Sequence, residues 1–259
     1  MLYETIIVND DGRIRTITLN RPERHNAMTP TMQTELIHTL KEAAESNCRV
    51  VVVKGAGGVF CAGLDLSVLG NLSDQTAVEH RADAERVAIL FRTLYELPKP
   101  TLAAVEGAAI AGGAGLATIC DFTLAVPKAR FGYTEVKIGF VPALVSAFLS
   151  LQIGDKRARD LLLSGRLIDA AEAHRLGLVS EVVGAEEMTA RVDELAALLA
   201  ANSPQSMAAT KRLMAEQNKP WLDAAIDQAL RANSAARQTA DFREGISAFL
   251  EKRPAVWEK

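Results

Sequence analysis

A chain of 259 residues, 49% hydrophobic and 24% charged, is long enough for one large core or for a core with an appendage. A net charge of −3 and a pI near 5.9 give no electrostatic footprint for nucleic acid or an anionic membrane surface, and neither is expected as a partner. Glu106 and several glycines interrupt the longest apolar stretch, which excludes a membrane span; Cys48, Cys61 and Cys120 lack C-x-x-C spacing, which argues against a disulfide framework or a zinc ribbon.

Residues 1–10 alternate apolar and polar positions and include acidic ones, unlike a signal or transit peptide, so a reducing cytoplasm is the expected compartment. Thr5 to Val8 and Arg13 to Leu19 flank Asp11-Gly12, a hairpin signal because that pair tolerates positive φ. Thr29-Pro30 supplies an N-cap and a first-turn proline for a helix to about Ser46, with Met32, Leu36, Ile37 and Leu40 at helical spacing. Arg49 to Lys54 reads as a buried strand, and a polar helix from about Asp74 to Leu97 ends before Pro98 and Pro100. Thr101 to Val105 is a further buried strand, followed by a short helix over Gly113 to Cys120 and a strand over Phe122 to Val126.

Helices are predicted near Leu144 to Ile153 and Asp155 to Leu163. Asp169 with Glu172 has the form of a capping box, Gly177 of a helix stop, and Leu178 to Val183 of a strand. Beyond Ala185 only helices are expected: Glu186 to Ala201, Pro204 to Gln217, Trp221 to Gln238 and Asp241 to Lys252. The fold class is therefore α/β, with an α/β core over 1–200 and a helical region over 201–259.

Two segments carry the chemistry. Gly57 to Leu66 (GGVFCAGLDL) and Lys99 to Ala117 (KPTLAAVEGAAIAGGAGLA) each run from an apolar strand pattern through a glycine-rich turn into a helix start, so each can present a bare backbone N–H. Two such donors converging on one oxygen make an oxyanion hole, often the largest single term in catalysis through an enolate. An enzyme is the leading reading. No Walker or G-x-G-x-x-G fingerprint points to a nucleotide cofactor, and His25, His38, His80 and His174 lack close metal-ligand spacing, so no metal is expected.

At Asn20-Arg21-Pro22, Asn26-Ala27-Met28, Phe60 to Leu66, Lys99-Pro100, Gly112-Gly113, Cys120-Asp121 and Phe131 to Glu135, the chain resembles the enoyl-CoA hydratase/isomerase, or crotonase, superfamily. The resemblance continues through Leu163 to Arg166, Ala173 to Val179 and Glu244 to Arg253, in order over nearly the whole chain. It implies a spiral of β-β-α units followed by helices that pack a homotrimer or a dimer of trimers. It also implies an acyl-CoA substrate, with coenzyme A part of that substrate and no separate cofactor. On the same basis the backbone N–H groups of Leu64 and Gly112 hold the thioester oxygen, and Glu135 is the acid/base. The CoA portion follows Arg24, Ala27, Ala62 and Leu64, with Asp65 and Leu66 in the same loop. Phe249 and Lys252 match positions near the CoA of a neighbouring subunit.

One position departs from the two-glutamate hydratase pattern: Gly115 stands where those hydratases carry a second carboxylate. Shifting a 3-enoyl double bond needs only one base, whereas two-carboxylate hydration uses both groups to hold a water. Gly112 to Ala117 combined with Glu135 to Ala143 nevertheless resembles a hydratase branch that includes methylglutaconyl-CoA hydratase-like proteins. Asp65, Glu106, Asp121 and Tyr133 are the carboxylates and phenol that sequence proximity to the motifs offers as substitutes, and Glu79 and Glu85 sit on a helix that could cover the pocket. Three readings follow: a 2-enoyl-CoA hydratase, including one for branched or methylglutaconyl-type chains; a 3-enoyl to 2-enoyl-CoA isomerase with Glu135 alone; and a non-catalytic acyl-CoA-binding scaffold.

Overall fold

The structure, a computed structural model, describes residues 2–65, 68, 70 and 76–257; Leu66 and the predicted helix start near Asp74 lie outside the described residues. The hairpin opens it. Strands β1 (Ile6–Asp11) and β2 (Ile14–Leu19) pair antiparallel with Asp11 opposite Ile14, and Gly12 at φ 57° takes the first loop position. β3 (Val50–Gly55), β4 (Thr101–Val105), β6 (Phe122–Ala125) and β9 (Glu181–Val182) continue the sheet in parallel, in the order β1-β2-β3-β4-β6-β9. Val50 to Val53 and Thr101 to Val105 are buried throughout, as parallel strands covered on both faces must be.

A second sheet, β5-β7-β8, uses three strands of three residues each: β5 (Ala108–Ile110), β7 (Arg130–Gly132) and β8 (Leu167–Asp169). The chain leaves β4 for β5, and β6 for β7, so successive strand pairs feed one strand to each sheet. This is the expected β-β-α repetition. The short strands were not legible in the sequence, because three residues are too few to show alternation.

α1 (Pro30–Glu45) is capped by Thr29, whose Oγ1 accepts the Met32 N–H at 3.2 Å, and buries Met32, Leu36 and Leu40. α2 (Ala77–Tyr95) opens on a capping box between Thr76 and Glu79. α3 (Gly112–Ile119) follows β5 directly, and α4 (Ala143–Ile153), α5 (Asp155–Ser164) and α6 (Ala170–Leu176) lead to α7 (Met188–Ala201). Asp169 caps α6, but Glu172 turns to Arg166 at 2.8 Å instead of closing a capping box. The strand expected over 178–183 shortens to two residues because the Leu178 and Val179 N–H groups bond back to the Ala173 carbonyl at the end of α6.

The two helices expected over 204–217 and 221–238 are a single helix, α8 (Pro204–Ala236), with Pro220 inside it. Proline removes one helical N–H and crowds the carbonyl four residues back, that of Glu216. Both residues are exposed, so water can serve that carbonyl, while Leu222, Ile226 and Ala229 lock the second half into the main core. α9 (Ala240–Glu251) folds back and buries Phe242 and Ile246 against Leu64, Ile138 and Phe140. Among the described residues no helix is long and apolar enough to cross a membrane.

Candidate active site

The two glycine turns meet. Cys61 N–H donates to the Ala108 carbonyl and Ile110 N–H to the Cys61 carbonyl, each at 2.9 Å, so the loop after β3 is zipped alongside β5. Contact this close needs missing side chains: a Cβ on Gly113 would lie 2.4 Å from the Cys61 carbonyl oxygen. Gly63, at φ 95°, faces Ile110 and Ala111 across the same seam.

Ala111 turns the chain from β5 into α3 at φ 52° and ψ −123°, a conformation that an L-residue adopts only under strain. Its N–H is anchored to the Gly132 carbonyl at 2.7 Å, which holds it there. The result leaves the Gly112 N–H at the positive end of α3, facing a cavity. Across from it, Met28 N–H takes the Gly63 carbonyl at 2.7 Å and Asp65 N–H takes the Met28 carbonyl at 3.0 Å. The Leu64 N–H between them has no backbone acceptor among the described residues, and Leu64 lines the same cavity.

Asn26 and Arg21 brace this loop. Asn26, fully buried, accepts the Arg21 N–H and donates to the Ala56 and Val59 carbonyls at 2.9 and 2.7 Å. Arg21 bonds the Ala27 carbonyl and the Asp65 carboxylate, both at 2.7 Å. Asp65 thus lines the cavity while its charge is matched by a guanidinium.

Glu135 begins a 3-10 turn (Glu135–Ile138) that follows β7, the strand to which Ala111 is anchored. Its Oε2 is shielded from solvent and has no hydrogen-bond partner among the described residues. Burial disfavours the charged form and outweighs the one hydrogen bond the carboxyl receives, from its own backbone N–H, so the group is pushed up to about 7. α9 clamps this turn from outside: Gly245 packs against the Ile138 backbone, where a Cβ would come within 2.3 Å.

The cavity has a volume of about 450 Å³ and unites Leu64, Gly112 and Glu135 with Arg24, Ala27, Ala62, Asp65 and Phe249. Phe249 lines the cavity of its own chain, because α9 folds over the Glu135 turn of the same chain, and Lys252 is the exposed left-handed C-cap of α9 outside the lining. Leu66 lies outside the described residues. Gly115 is buried, and a Cβ there would stand 2.9 Å from Val145 Cγ1 and 3.0 Å from Phe91 Cζ. Hydrocarbon from α4 and α2 therefore fills the place of a second carboxylate.

Of the substitutes offered by the sequence, Glu79 is spent on its capping box, Glu85 on Arg81 at 2.7 Å, and Asp121 on Thr101 and Lys211. The buried Tyr133 hydroxyl meets Thr118, and Glu106 is not among the lining residues. The histidines are scattered: His38 lies by Tyr3 and Glu42, His174 bonds the Val179 carbonyl, His80 is buried in α2, and His25 lines the cavity. All three cysteines are buried and unpaired, and burial pushes the Cys61 and Cys120 thiols up to about 12.

The structure also brings in residues that the sequence did not single out: Asp83 from α2, Asn233 from α8 and Arg237 just beyond it. Ala84, Val87 and Phe91 mark the inward stripe of α2, so helical periodicity is the signal that would have found Asp83. Nothing comparable marks Arg237, which lies far away in sequence.

The family model described as enoyl-CoA hydratase/isomerase matches residues 10–259. A Thermus thermophilus protein carrying an enoyl-CoA hydratase name is 43% identical over 246 residues, 95% of this chain and 97% of that one. The crotonyl-CoA hydratase of Syntrophomonas wolfei is 32% identical over 98% of both chains. Among solved structures, an enoyl-CoA hydratase/isomerase from Xanthobacter autotrophicus superposes with a TM-score of 0.90 at 29% identity, covering 100% of each chain.

Proposed function

The chain belongs to the enoyl-CoA hydratase/isomerase family, and on that footing we propose that it hydrates 2-enoyl-CoA thioesters with Glu135 as its acid/base. The observation that carries this reading is the buried Glu135 carboxyl, its Oε2 without a partner among the described residues, in one cavity with Leu64 and Gly112, whose N–H groups meet no backbone acceptor among those residues. The thioester oxygen accepts both N–H groups, which withdraws electrons from the conjugated double bond. Glu135, as carboxylate, takes a proton from water while the hydroxyl oxygen bonds to Cβ, and the electron pair of the double bond moves into an enolate. The two N–H dipoles carry the charge that develops on that oxygen, at roughly 3 kcal/mol per donor. Protonated Glu135 then returns its proton to Cα. One carboxyl titrating near 7 can do both jobs, since it is a competent base and a competent acid at neutral pH.

A second reading is favoured by one observation, the apolar wall of Phe91 and Val145 at Gly115. With no second carboxylate there to hold water, Glu135 alone can carry a proton between Cα and Cγ and so isomerise a 3-enoyl thioester. Incubation in ¹⁸O-labelled water separates the two. Labelled 3-hydroxyacyl-CoA from a 2-enoyl substrate establishes hydration, and unlabelled 2-enoyl product from a 3-enoyl substrate establishes isomerisation.

The CoA portion is placed, in this reading, along Arg24, Ala27, Ala62 and Leu64 at the cavity mouth, with Phe249 closing it from the same chain. A homotrimer or a dimer of trimers in the cytoplasm completes the proposal. Exposed Leu213, Met214, Trp221 and Trp257 give the helical region apolar surface for such contacts.

A further inference from the structure

The end of the cavity formed by α2, α8 and Phe140 is not built for a methyl group. Arg237 is buried, its side chain only 5% exposed, and its guanidinium lies 5.7 Å from the centre of the Phe140 ring. One of its nitrogens, Nη2, faces Asp83 Oδ2 at a loose 3.5 Å, while Asp83 Oδ1 is held at 2.7 Å by Arg86. The Nε and Nη1 donors have no acceptor among the described residues. Asn233, one helical turn earlier and equally buried, has an unpartnered amide oxygen, and a half-turn of that amide offers a donor instead. Among the described residues two cations thus share one carboxylate, which leaves this wall one positive charge in excess.

From this we propose that the acyl chain ends in a carboxylate, and that Arg237, with Asn233, binds it. The inference rests on the acyl-CoA reading of the same cavity and names its substrate class: 2-enoyl-CoA thioesters derived from dicarboxylic acids. A methyl-ended chain leaves buried cationic donors unpaired, which is costly, whereas a carboxylate gives them charge-assisted hydrogen bonds. Arg86 already balances Asp83, so the incoming carboxylate meets a net cation.

The test compares trans-2-enoyl-CoA thioesters of five to seven carbons ending in methyl with their carboxylate-ended counterparts. The wild-type protein is expected to favour the carboxylate-ended member in kcat/KM by at least about tenfold at its best chain length. Arg237→Met should abolish that ratio and Arg237→Lys should keep part of it. Calorimetric titration with the saturated thioesters, hexanedioyl-CoA against hexanoyl-CoA, reads the same preference without turnover. If neither enoyl series is hydrated, the hydratase reading fails, and the titrations still decide the role of Arg237. Preference for methyl-ended chains at every length, or a ratio unmoved by Arg237→Met, overturns the proposal and leaves water as the partner of those donors.

Discussion

Glu135 is held near neutrality by what surrounds it: among the described residues no donor reaches Oε2, and the hydrogen bond from its own backbone N–H repays only part of the loss of water around the ionised form. Glu135→Gln keeps the shape and removes the proton, and turnover is expected to fall by ~10²–10⁴ in a hydration assay. For the wild type, kcat/KM should rise with pH and inflect near 7, because the free enzyme must supply the carboxylate. Stability moves the other way. With the folded value raised from 4.5 to about 7, the native state holds the proton more tightly than the unfolded chain. The stabilisation from the protonated carboxyl is fully present below about pH 4.5 and is lost as the pH climbs through about 7. Denaturant midpoints at pH 5 and pH 8 should therefore show Glu135→Gln gaining on the wild type at the higher pH. Gly115 allows a companion test: Gly115→Glu drives a Cβ and a charge into Phe91 and Val145. A loss of at least about 1–3 kcal/mol in urea unfolding, with no gain in hydration, is the expected outcome.

Elements position these residues by pairwise seams. β5 zips to the loop after β3, β7 anchors Ala111, and α9 presses on the 3-10 turn that begins with Glu135, so donor, donor and base are referred to one small frame. The α9 seam depends on Gly245, whose missing side chain lets the helix reach the Ile138 backbone. Gly245→Val should lift α9, lower the urea midpoint and raise KM for the enoyl-CoA more than it lowers kcat, since Phe249 leaves the cavity with the helix. At this scale the sequence was uneven in what it disclosed. Thr29, Asp169 and Gly177 marked helix ends because caps and left-handed stops are local chemistry. Pro220 pointed to a break that does not occur, since burial of Leu222, Ile226 and Ala229 outweighs one lost hydrogen bond.

Across the whole molecule, the helical region packs against its own core on one side and leaves tryptophan, leucine and methionine in water on the other. Light scattering on the purified protein is expected to give a mass three or six times that of the 27.9 kDa chain. Replacing Trp221 and Met214 by polar residues should shift that mass towards the single chain. The sequence by itself determined the α/β order, the helix caps and the two glycine turns, because each is written in neighbouring residues whose backbone preferences and spacing are local; Glu135 was singled out by the resemblance of Phe131 to Glu135 to the family. Tertiary structure alone decided that Phe249 faces its own cavity, that Phe91 and Val145 occupy the space beside Gly115, and that Asp83 meets Arg237. Those pairings join residues tens to more than a hundred and fifty positions apart. Which of them meet depends on how helices stack over a sheet, a packing outcome that no local propensity contains.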